Sequence, residues 1–222
     1  VSNAINMPSV SAEEAPRLRP YMELARLLGA MAGQLTAATD SAIKTIRVEY
    51  EGHAAELNRR PLTAAALAGV LTPLLGAVNM VNAPVLAKQR GIEVAETTHE
   101  RSGEYQTLLR VTVVTDNWER SVAGTLVADN KPRLVDIKGI AVEADFAPHM
   151  LYVTNQDKPG FIGKFGMVLA DAGINIATFH LGRSAPGGDA ICLVGLDAPV
   201  PAEVIAAVRD LPLVVQATTL AF

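Results

Sequence analysis

The chain has 222 residues, half of them hydrophobic, and a formal net charge of −4. This length suits one large domain or two small ones, and the hydrophobic content excludes an intrinsically disordered chain. Because no concentrated basic segment is present, we do not expect a nucleic-acid partner.

Targeting signals and reactive groups are few. The longest apolar stretch, residues 62–78, is too short and too interrupted to span a membrane, and no signal peptide is visible. The single cysteine, Cys192, lies in an apolar run and is predicted to be a buried strand residue. Since no internal disulfide can form, we expect a cytoplasmic protein without membrane contact. The chain begins with Val1 rather than Met, so we expect a fragment of a longer protein.

The N-terminal part of the chain is predicted to form a long helix. Ser11 and Glu14 have the spacing of a capping box. Apolar residues recur at steps of three and four from Tyr21 to Leu35, as on one face of a helix. Pro20 lacks a backbone N–H, and we expect it to break or restart the helix.

Residues 46–91 predict one strand and two further helices. Apolar and charged residues alternate over 46–51, which is typical of a half-buried strand. Residues 62–75 predict a mostly buried helix whose last turn is disturbed by Pro73. A short helix is expected to begin at residues 82–84 and to stop at residues 90–91, where a glycine favours helix termination.

Four strand candidates follow, each bounded by turn residues. The strand candidates are residues 92–98, 107–115, 120–127 and 134–142. The turn residues are Ser102-Gly103, Asp116-Asn117, Asp129-Asn130 and Lys138-Gly139. The pattern predicts one α+β domain over residues 10–145, with helices first and an antiparallel meander after them.

Ala147-Pro148 is interpreted as a domain boundary, and the remaining chain predicts a β-α-β-β-α-β order. The predicted elements are strand 149–155, helix 160–172, strand 174–183, strand 190–196, helix 201–209 and strand 214–220. This is the ferredoxin-like arrangement, and its free sheet edges favour dimerisation.

A ligand site is predicted where the first strand of this domain meets its first helix. Pro159 occupies an early helical position, and Gly160 and Gly163 allow close approach of a ligand. Unpaired N–H groups at the helix start suit a carboxylate, and Asp157 suits an ammonium group. Asn175, expected to begin a strand beside the first one, adds an amide. The pattern indicates a zwitterionic amino acid; alternatively, Asp157 only caps the helix and Asn175 only ends a turn.

Several segments resemble one family. Asp-Lys-Pro-Gly-Phe-Ile-Gly at 157–163, Ala-Gly-Ile-Asn-Ile at 172–176 and Leu181-Gly182-Arg183 before Gly187-Gly188-Asp189-Ala190 resemble an ACT domain, and more narrowly that of D-3-phosphoglycerate dehydrogenases. Residues 6–9 and 21–25 resemble the end of that family's substrate-binding domain, and residues 40–145 resemble its intervening domain. We therefore predict an α+β protein with a tail and linking helix (1–38), an allosteric substrate-binding or intervening domain (39–146) and a ferredoxin-like ACT domain (147–222).

The resemblance implies an effector site shared by two ACT domains. It implies that L-serine, or a similar small amino acid, binds at the interface of a homodimer within a tetrameric parent enzyme and inhibits that enzyme. Its contacts would come from Asn155, Asp157 and Asn175 and from helix-start amides near Phe161 and Ile162. Asn155 departs from the His or Tyr that family members often have at this position.

The resemblance also implies a second, anion-binding site in the intervening domain of some members. Arg133 and Lys138 lie in comparable places, whereas Ile140 and Asp145 stand where further arginines would be expected. Alternatively, Arg133 and Lys138 are ordinary solvated charges.

No catalytic, cofactor or metal site is predicted in this chain. Gly160, Gly163 and Gly166 do not have the spacing of a dinucleotide-binding loop. The histidines, His53, His99, His149 and His180, show no metal-ligand spacing. The parent enzyme would use NAD, and the fragment alone should be inactive. Two other interpretations remain, an oligomerisation module without effector and a β-type subunit of an iron–sulfur L-serine dehydratase, whose Ser/His-rich N-terminal loop is absent here.

Overall fold

The structure, a computed structural model, describes residues 11, 13–39, 41–99 and 103–222. It divides into two compact units, Val1–Lys138 and Gly139–Phe222. The predictions that fall on residues 6–9, Asp40 and Ser102 lie outside the described residues.

The first unit contains three α-helices and five strands in its described part. In chain order these are α1 (Ala15–Ala37), β1 (Ile43–Gly52), α2 (Arg59–Leu75), α3 (Ala83–Gln89), β2 (Glu93–His99), β3 (Thr107–Thr115), β4 (Glu119–Val127) and β5 (Lys131–Ile137). The second unit contains β6 (Ile140–Asp145), β7 (His149–Gln156), α4 (Phe161–Asp171), β8 (Ile176–Arg183), β9 (Asp189–Leu196), α5 (Ala202–Arg209) and β10 (Val214–Ala221).

Helix α1 confirms the predicted capping box but not the predicted break. The Glu14 N–H donates to Ser11 Oγ at 3.2 Å, and the Ser11 N–H donates to Glu14 Oε2 at 3.2 Å. The helix continues through Pro20, so that prediction was wrong. Proline at position 20 leaves the carbonyl of Pro16 without its helical partner. Because Pro16 is exposed, water can hydrate that carbonyl.

Helices α1 and α2 pack with their backbones in close approach. A Cβ atom at Gly29 would lie 2.2 Å from the Ala66 carbonyl oxygen, and one at Gly33 would lie 2.3 Å from that of Val70. Gly69 of α2 makes the reciprocal approach to α1. Only glycine permits this separation at these positions.

The sheet of the first unit rests on these helices. Ile46, Val48 and Tyr50 of β1 are fully buried, which confirms the predicted alternation. The five strands follow the order β2-β1-β3-β4-β5, with β1 parallel to β2 and the other neighbours antiparallel. The predicted meander is therefore right for β3 to β5 and wrong for β2. Strand β2 is parallel because α2 and α3 form the long crossover that a parallel pair requires.

The predicted turn at Lys138-Gly139 is confirmed, and it divides the strand that was predicted over residues 134–142 into two. Lys138 and Gly139, with φ of 56° and 77°, form a tight turn that separates β5 from β6. The two compact units divide at this turn, whereas the sequence places the domain boundary near Ala147-Pro148.

The second unit confirms the predicted ferredoxin-like order. Its antiparallel sheet has the order β10-β7-β9-β8, and α4 and α5 pack against one face. Leu151, Phe165 and Cys192 belong to this core, and burial raises the pKa of the Cys192 thiol to about 12. Strand β9 separates β7 from β8, so the expectation that the strand beginning at Asn175 lies beside the first strand was wrong. The short β8–β9 turn makes those two strands neighbours and moves β8 to the edge.

Candidate functional site

A cavity of about 240 Å³ opens where β7 ends and α4 begins. Four of the five residues predicted to bind an effector line it, namely Asn155, Asp157, Phe161 and Ile162. The end of β8 supplies another part of the wall, including Leu181 and Arg183. Because α4 crosses from β7 to the non-adjacent β8, its first turn lies between the ends of these strands.

The start of α4 presents backbone donors to this cavity. Gly160 precedes the helix with φ of 96°, a conformation that favours glycine. Within the described part of the chain, no acceptor takes the N–H groups of Phe161, Ile162 and Gly163, and no side chain caps them. Together with the positive end of the helix dipole, these donors suit a carboxylate.

Asn155 lines the same cavity and has one buried acceptor without a hydrogen-bond partner among the described residues. The residue is only 4% exposed, and its Nδ2 donates to the Gln156 carbonyl oxygen at 2.9 Å. Its Oδ1 is buried and has no hydrogen-bond partner among the described residues. Rotating the amide would place its oxygen against another carbonyl oxygen, so the orientation is determined. An unpartnered buried acceptor costs about 1–3 kcal/mol, which a donor from a ligand can offset.

Asp157 is held by donors from the β8–β9 hairpin. Arg183 Nη1 donates to Asp157 Oδ2 at 2.8 Å, and the Gly187 N–H donates to the same oxygen at 3.1 Å. Arg183 first, and Gly187 second, lower the pKa of Asp157 and favour its ionised form. No donor in the described ranges takes the other oxygen, Oδ1, which remains for a ligand.

Sequence reasoning assigned no role to Arg183, which lies 26 residues from Asp157. The strand register brings them together, because Arg183 is opposite Ala190 of β9 and Ala190 is opposite Asn155 of β7. The order and register of a ferredoxin-like sheet, with β8 at its edge, would have predicted that Arg183 and Asp157 lie close together.

Asn175, the fifth predicted residue, does not reach this cavity within one chain. It precedes β8, at the opposite end of that strand from Arg183, about 25 Å away at the usual rise per residue. Its Nδ2 donates to Asp197 Oδ2 at 2.6 Å. The structure therefore does not place all predicted groups in one pocket of a single chain.

The candidate anion site gains no further support. Arg133 lies in β5, where it interacts within the chain, and Lys138 lies in the turn that follows. Their positions are five apart along an extended segment, which corresponds to about 17 Å, so the strand does not direct them to one point. The anion site remains a prediction from resemblance.

The described ranges show neither a metal-binding cluster nor a membrane-spanning helix. There, no group of three or more His, Cys, Asp or Glu residues is placed to hold a metal ion. None of the helices in those ranges combines the length and apolar character that crossing a membrane requires.

Comparison with known proteins adds two family matches. The model of the D-3-phosphoglycerate dehydrogenase intervening domain matches residues 17–138, and the ACT domain model matches residues 149–213. The second match contains the cavity and all the residues that hold Asp157.

Similar proteins carry one name. D-3-phosphoglycerate dehydrogenase of Methanocaldococcus jannaschii is 35% identical over 95% of this chain and 39% of its own length. The enzymes of the same name from Synechocystis and Bacillus subtilis are 35% and 32% identical over 90% and 96% of this chain, and over 36% and 40% of their own lengths. The chain thus spans about two fifths of these relatives. Since the intervening-domain match covers more than half of the chain and the ACT match follows it, the chain belongs to the D-3-phosphoglycerate dehydrogenase family and corresponds to its regulatory region.

Proposed function

We propose that the second unit binds a small zwitterionic amino acid, L-serine, in the cavity at the start of α4. The observation that carries this proposal is that Asn155, Asp157 and the start of α4 line one cavity, where the N–H groups of Phe161 and Ile162 have no acceptor among the described residues. The N–H groups at the start of α4 suit the carboxylate of the ligand, and Asp157 Oδ1 suits its ammonium group.

The size of the ligand indicates that the cavity needs a second wall. Serine has about seven heavy atoms, and very small ligands gain at most ~1.5 kcal/mol per atom, or ~10 kcal/mol in total. Micromolar binding requires ~8 kcal/mol, so nearly every polar atom of the ligand must be satisfied away from water. We propose that a second copy of the chain closes the site, which couples binding to dimerisation.

The geometry of β8 supports this assembly. It is the edge strand of its sheet in the described part of the second unit. When two such edges pair antiparallel about a two-fold axis, the start of one strand lies beside the end of the other. Asn175 of the second copy would then lie beside Arg183 of the first and complete the cavity. This arrangement would bring Asn175 to the cavity even though Asn175 and Arg183 lie at opposite ends of β8 within one chain.

Helix α4 offers an apolar surface for the same contact. Ile162 and Met167 on α4 are 54% and 60% exposed, and Leu181 on β8 is 47% exposed. Side chains added at Gly163 and Gly166 would meet nothing within 4 Å. Ile162 and Leu181 also line the cavity, and because exposed apolar residues mark interaction sites, a second copy paired through β8 would bury them.

We further propose that the chain regulates an NAD-dependent D-3-phosphoglycerate dehydrogenase of which it is part. The names of the relatives support this. L-Serine binding between ACT domains would change domain geometry and inhibit a distant active site in a homotetramer, with NAD bound outside this chain. On cysteine usage alone we place this enzyme in the cytoplasm.

Calorimetric titration with L-serine, glycine and phosphoserine tests the binding proposal. We expect L-serine to bind, to raise the melting temperature and to favour the dimer. Asp157→Ala should abolish all three effects. Asp171→Ala, at the exposed end of α4, removes an equal charge away from the cavity and should leave them intact.

The outcomes separate the alternative functions. A dimer that binds none of these amino acids would contradict the effector role and favour an oligomerisation module. Deamination of L-serine by the chain would instead favour the dehydratase subunit.

A further inference from the structure

We propose that Arg183 is a positioning residue of the amino-acid site, which holds Asp157 so that one carboxylate oxygen is kept for the ligand. This role rests on the proposed binding function and adds a residue to which sequence reasoning gave none.

The hydrogen bonds determine the orientation of Asp157. Arg183 Nη1 and the Gly187 N–H both donate to Oδ2, at 2.8 and 3.1 Å. The Asp157 N–H donates to the Gly188 carbonyl oxygen at 2.9 Å, so the backbone is held by the same hairpin. Rotating the carboxylate away from this position would break both bonds to Oδ2. Oδ1 therefore keeps a defined place in the wall of the cavity.

Among the charged residues on the elements around Asp157, Arg183 favours the ionised carboxylate. Arg183 of β8 bonds to Asp157, and Lys158 follows it in the loop. The first turn of α4 contributes Lys164, and the start of β9 contributes Asp189. Arg183 is the one charged side chain within the described ranges that bonds to Asp157. It therefore contributes most to stabilising the ionised carboxylate.

Exposure shows that Arg183 can be changed without opening the core. Its side chain is 56% exposed, whereas that of Asp157 is 31% exposed. Arg183→Gln should leave the fold intact while freeing the carboxylate to rotate and allowing the pKa of Asp157 to return toward the ordinary value of about 3.9. Since a hydrogen bond to a charged group is lost, we expect roughly tenfold weaker L-serine binding at pH 7.

The decisive experiment measures the L-serine dissociation constant of the 222-residue chain from about pH 2.5 to about pH 7.5, a range that extends below the ordinary pKa of an aspartate. Wild type is compared with Arg183→Gln, Arg183→Lys and the charge control Lys158→Gln. Affinity is expected to fall at low pH, and we call this part of the curve the acid limb. The carboxyl group of the ligand titrates identically with every variant, so a difference in the acid limb reports on Asp157. We expect the acid limb of Arg183→Gln to move to higher pH and Arg183→Lys to restore it in part. Lys158→Gln should weaken binding less and leave the acid limb in place.

A second measurement needs no ligand. The carboxyl carbon of Asp157 is titrated by NMR in wild type and in Arg183→Gln. A pKa below the ordinary range in wild type that rises in the variant, together with the shifted acid limb, would support the proposal. Identical titrations in the two proteins would overturn it, even if L-serine binds. A third outcome is that the pKa of Asp157 is low in wild type and rises in Arg183→Gln, but the wild-type dimer binds no amino acid. That outcome would overturn the proposed function and, with it, the role of Arg183 in binding.

Discussion

Glycines in α1 and α2 of the first unit and in α4 of the second serve opposite purposes. At Gly29 and Gly33 an added Cβ would meet backbone atoms at 2.2 and 2.3 Å, whereas at Gly163 and Gly166 it would meet nothing within 4 Å. In α1 and α2 the missing side chains let two helices of the same unit touch. In α4 they leave a helix face open. A glycine in a helix therefore indicates either an internal contact or a surface available to another molecule, and only its neighbours decide which.

Two buried polar residues, Tyr50 and Asn155, show a related difference, although Arg59 Nε and Trp118 Nε1 of the first unit also have no hydrogen-bond partner among the described residues. In the first unit Tyr50 Oη and Thr63 Oγ1 lie 2.7 Å apart, and Thr63 Oγ1 donates to Glu96 Oε1 at 2.6 Å, so this chain of bonds closes within the unit. In the second unit Asn155 Oδ1 has no partner among the described residues. A closed network stabilises a fold, whereas an open acceptor in a cavity is available for binding.

Each unit contains one residue whose signal reports unfolding of that unit alone. The sequence has one tryptophan and one cysteine. Trp118 lies in the first unit and Cys192 in the second. Trp118 fluorescence therefore reports unfolding of the first unit. Labelling of the buried Cys192 thiol reports opening of the second, because a thiol with a pKa of about 12 does not react while buried.

The largest effect is expected from Gly29→Val. The new side chain cannot fit against the Ala66 carbonyl, so we expect a loss of about 3 kcal/mol or more in the free energy of unfolding of the first unit. Urea denaturation followed by Trp118 fluorescence measures it. Gly163→Val is the matched control, and Cys192 labelling should show no comparable loss. Similar losses of stability for both variants would contradict the conclusion that Gly29 and Gly163 serve opposite purposes.

A smaller effect is expected from Met167→Glu on the exposed face of α4. If a second copy covers this face, a buried carboxylate should weaken the dimer by about tenfold, or about 1.4 kcal/mol. Sedimentation equilibrium measures the change, and Cys192 labelling checks that the unit stays folded. An unchanged dimer constant would show that this face is not part of the contact.

Gly163→Ala should act in the opposite direction to Gly29→Val. Because nothing obstructs the new methyl group, helix propensity alone predicts a gain of about 0.5–1 kcal/mol in the stability of the second unit. Slower Cys192 labelling in native buffer would show this gain. Faster labelling would indicate a contact at Gly163 that the open space does not reveal.

The smallest expected effect concerns pH. Arg183 and Gly187 lower the pKa of Asp157 below that of the unfolded chain, so the associated stability is fully present above about pH 4. It is lost as the pH falls through the folded-state pKa. The urea midpoint of the second unit should therefore decline with acid less steeply in Asp157→Asn than in wild type. Both side chains are partly exposed, so the difference should be small, and parallel declines would contradict it.

The sequence by itself determined the features that depend on neighbours along the chain. The burial of Ile46, Val48 and Tyr50 follows from alternation, and the order of elements after residue 149 follows from periodicity and turn residues. The unpaired N–H groups at the start of α4 follow from the local Pro-Gly signal, because a helix start always leaves such groups.

Tertiary structure decided what depends on strand order and on packing between distant segments. It made β2 parallel to β1, let α1 continue through Pro20, paired Arg183 with Asp157 and placed Asn175 at the far end of its strand. Residues 26 positions apart meet only after the sheet has chosen its register. That choice is set by the burial of whole strands rather than by the residues that later form the site.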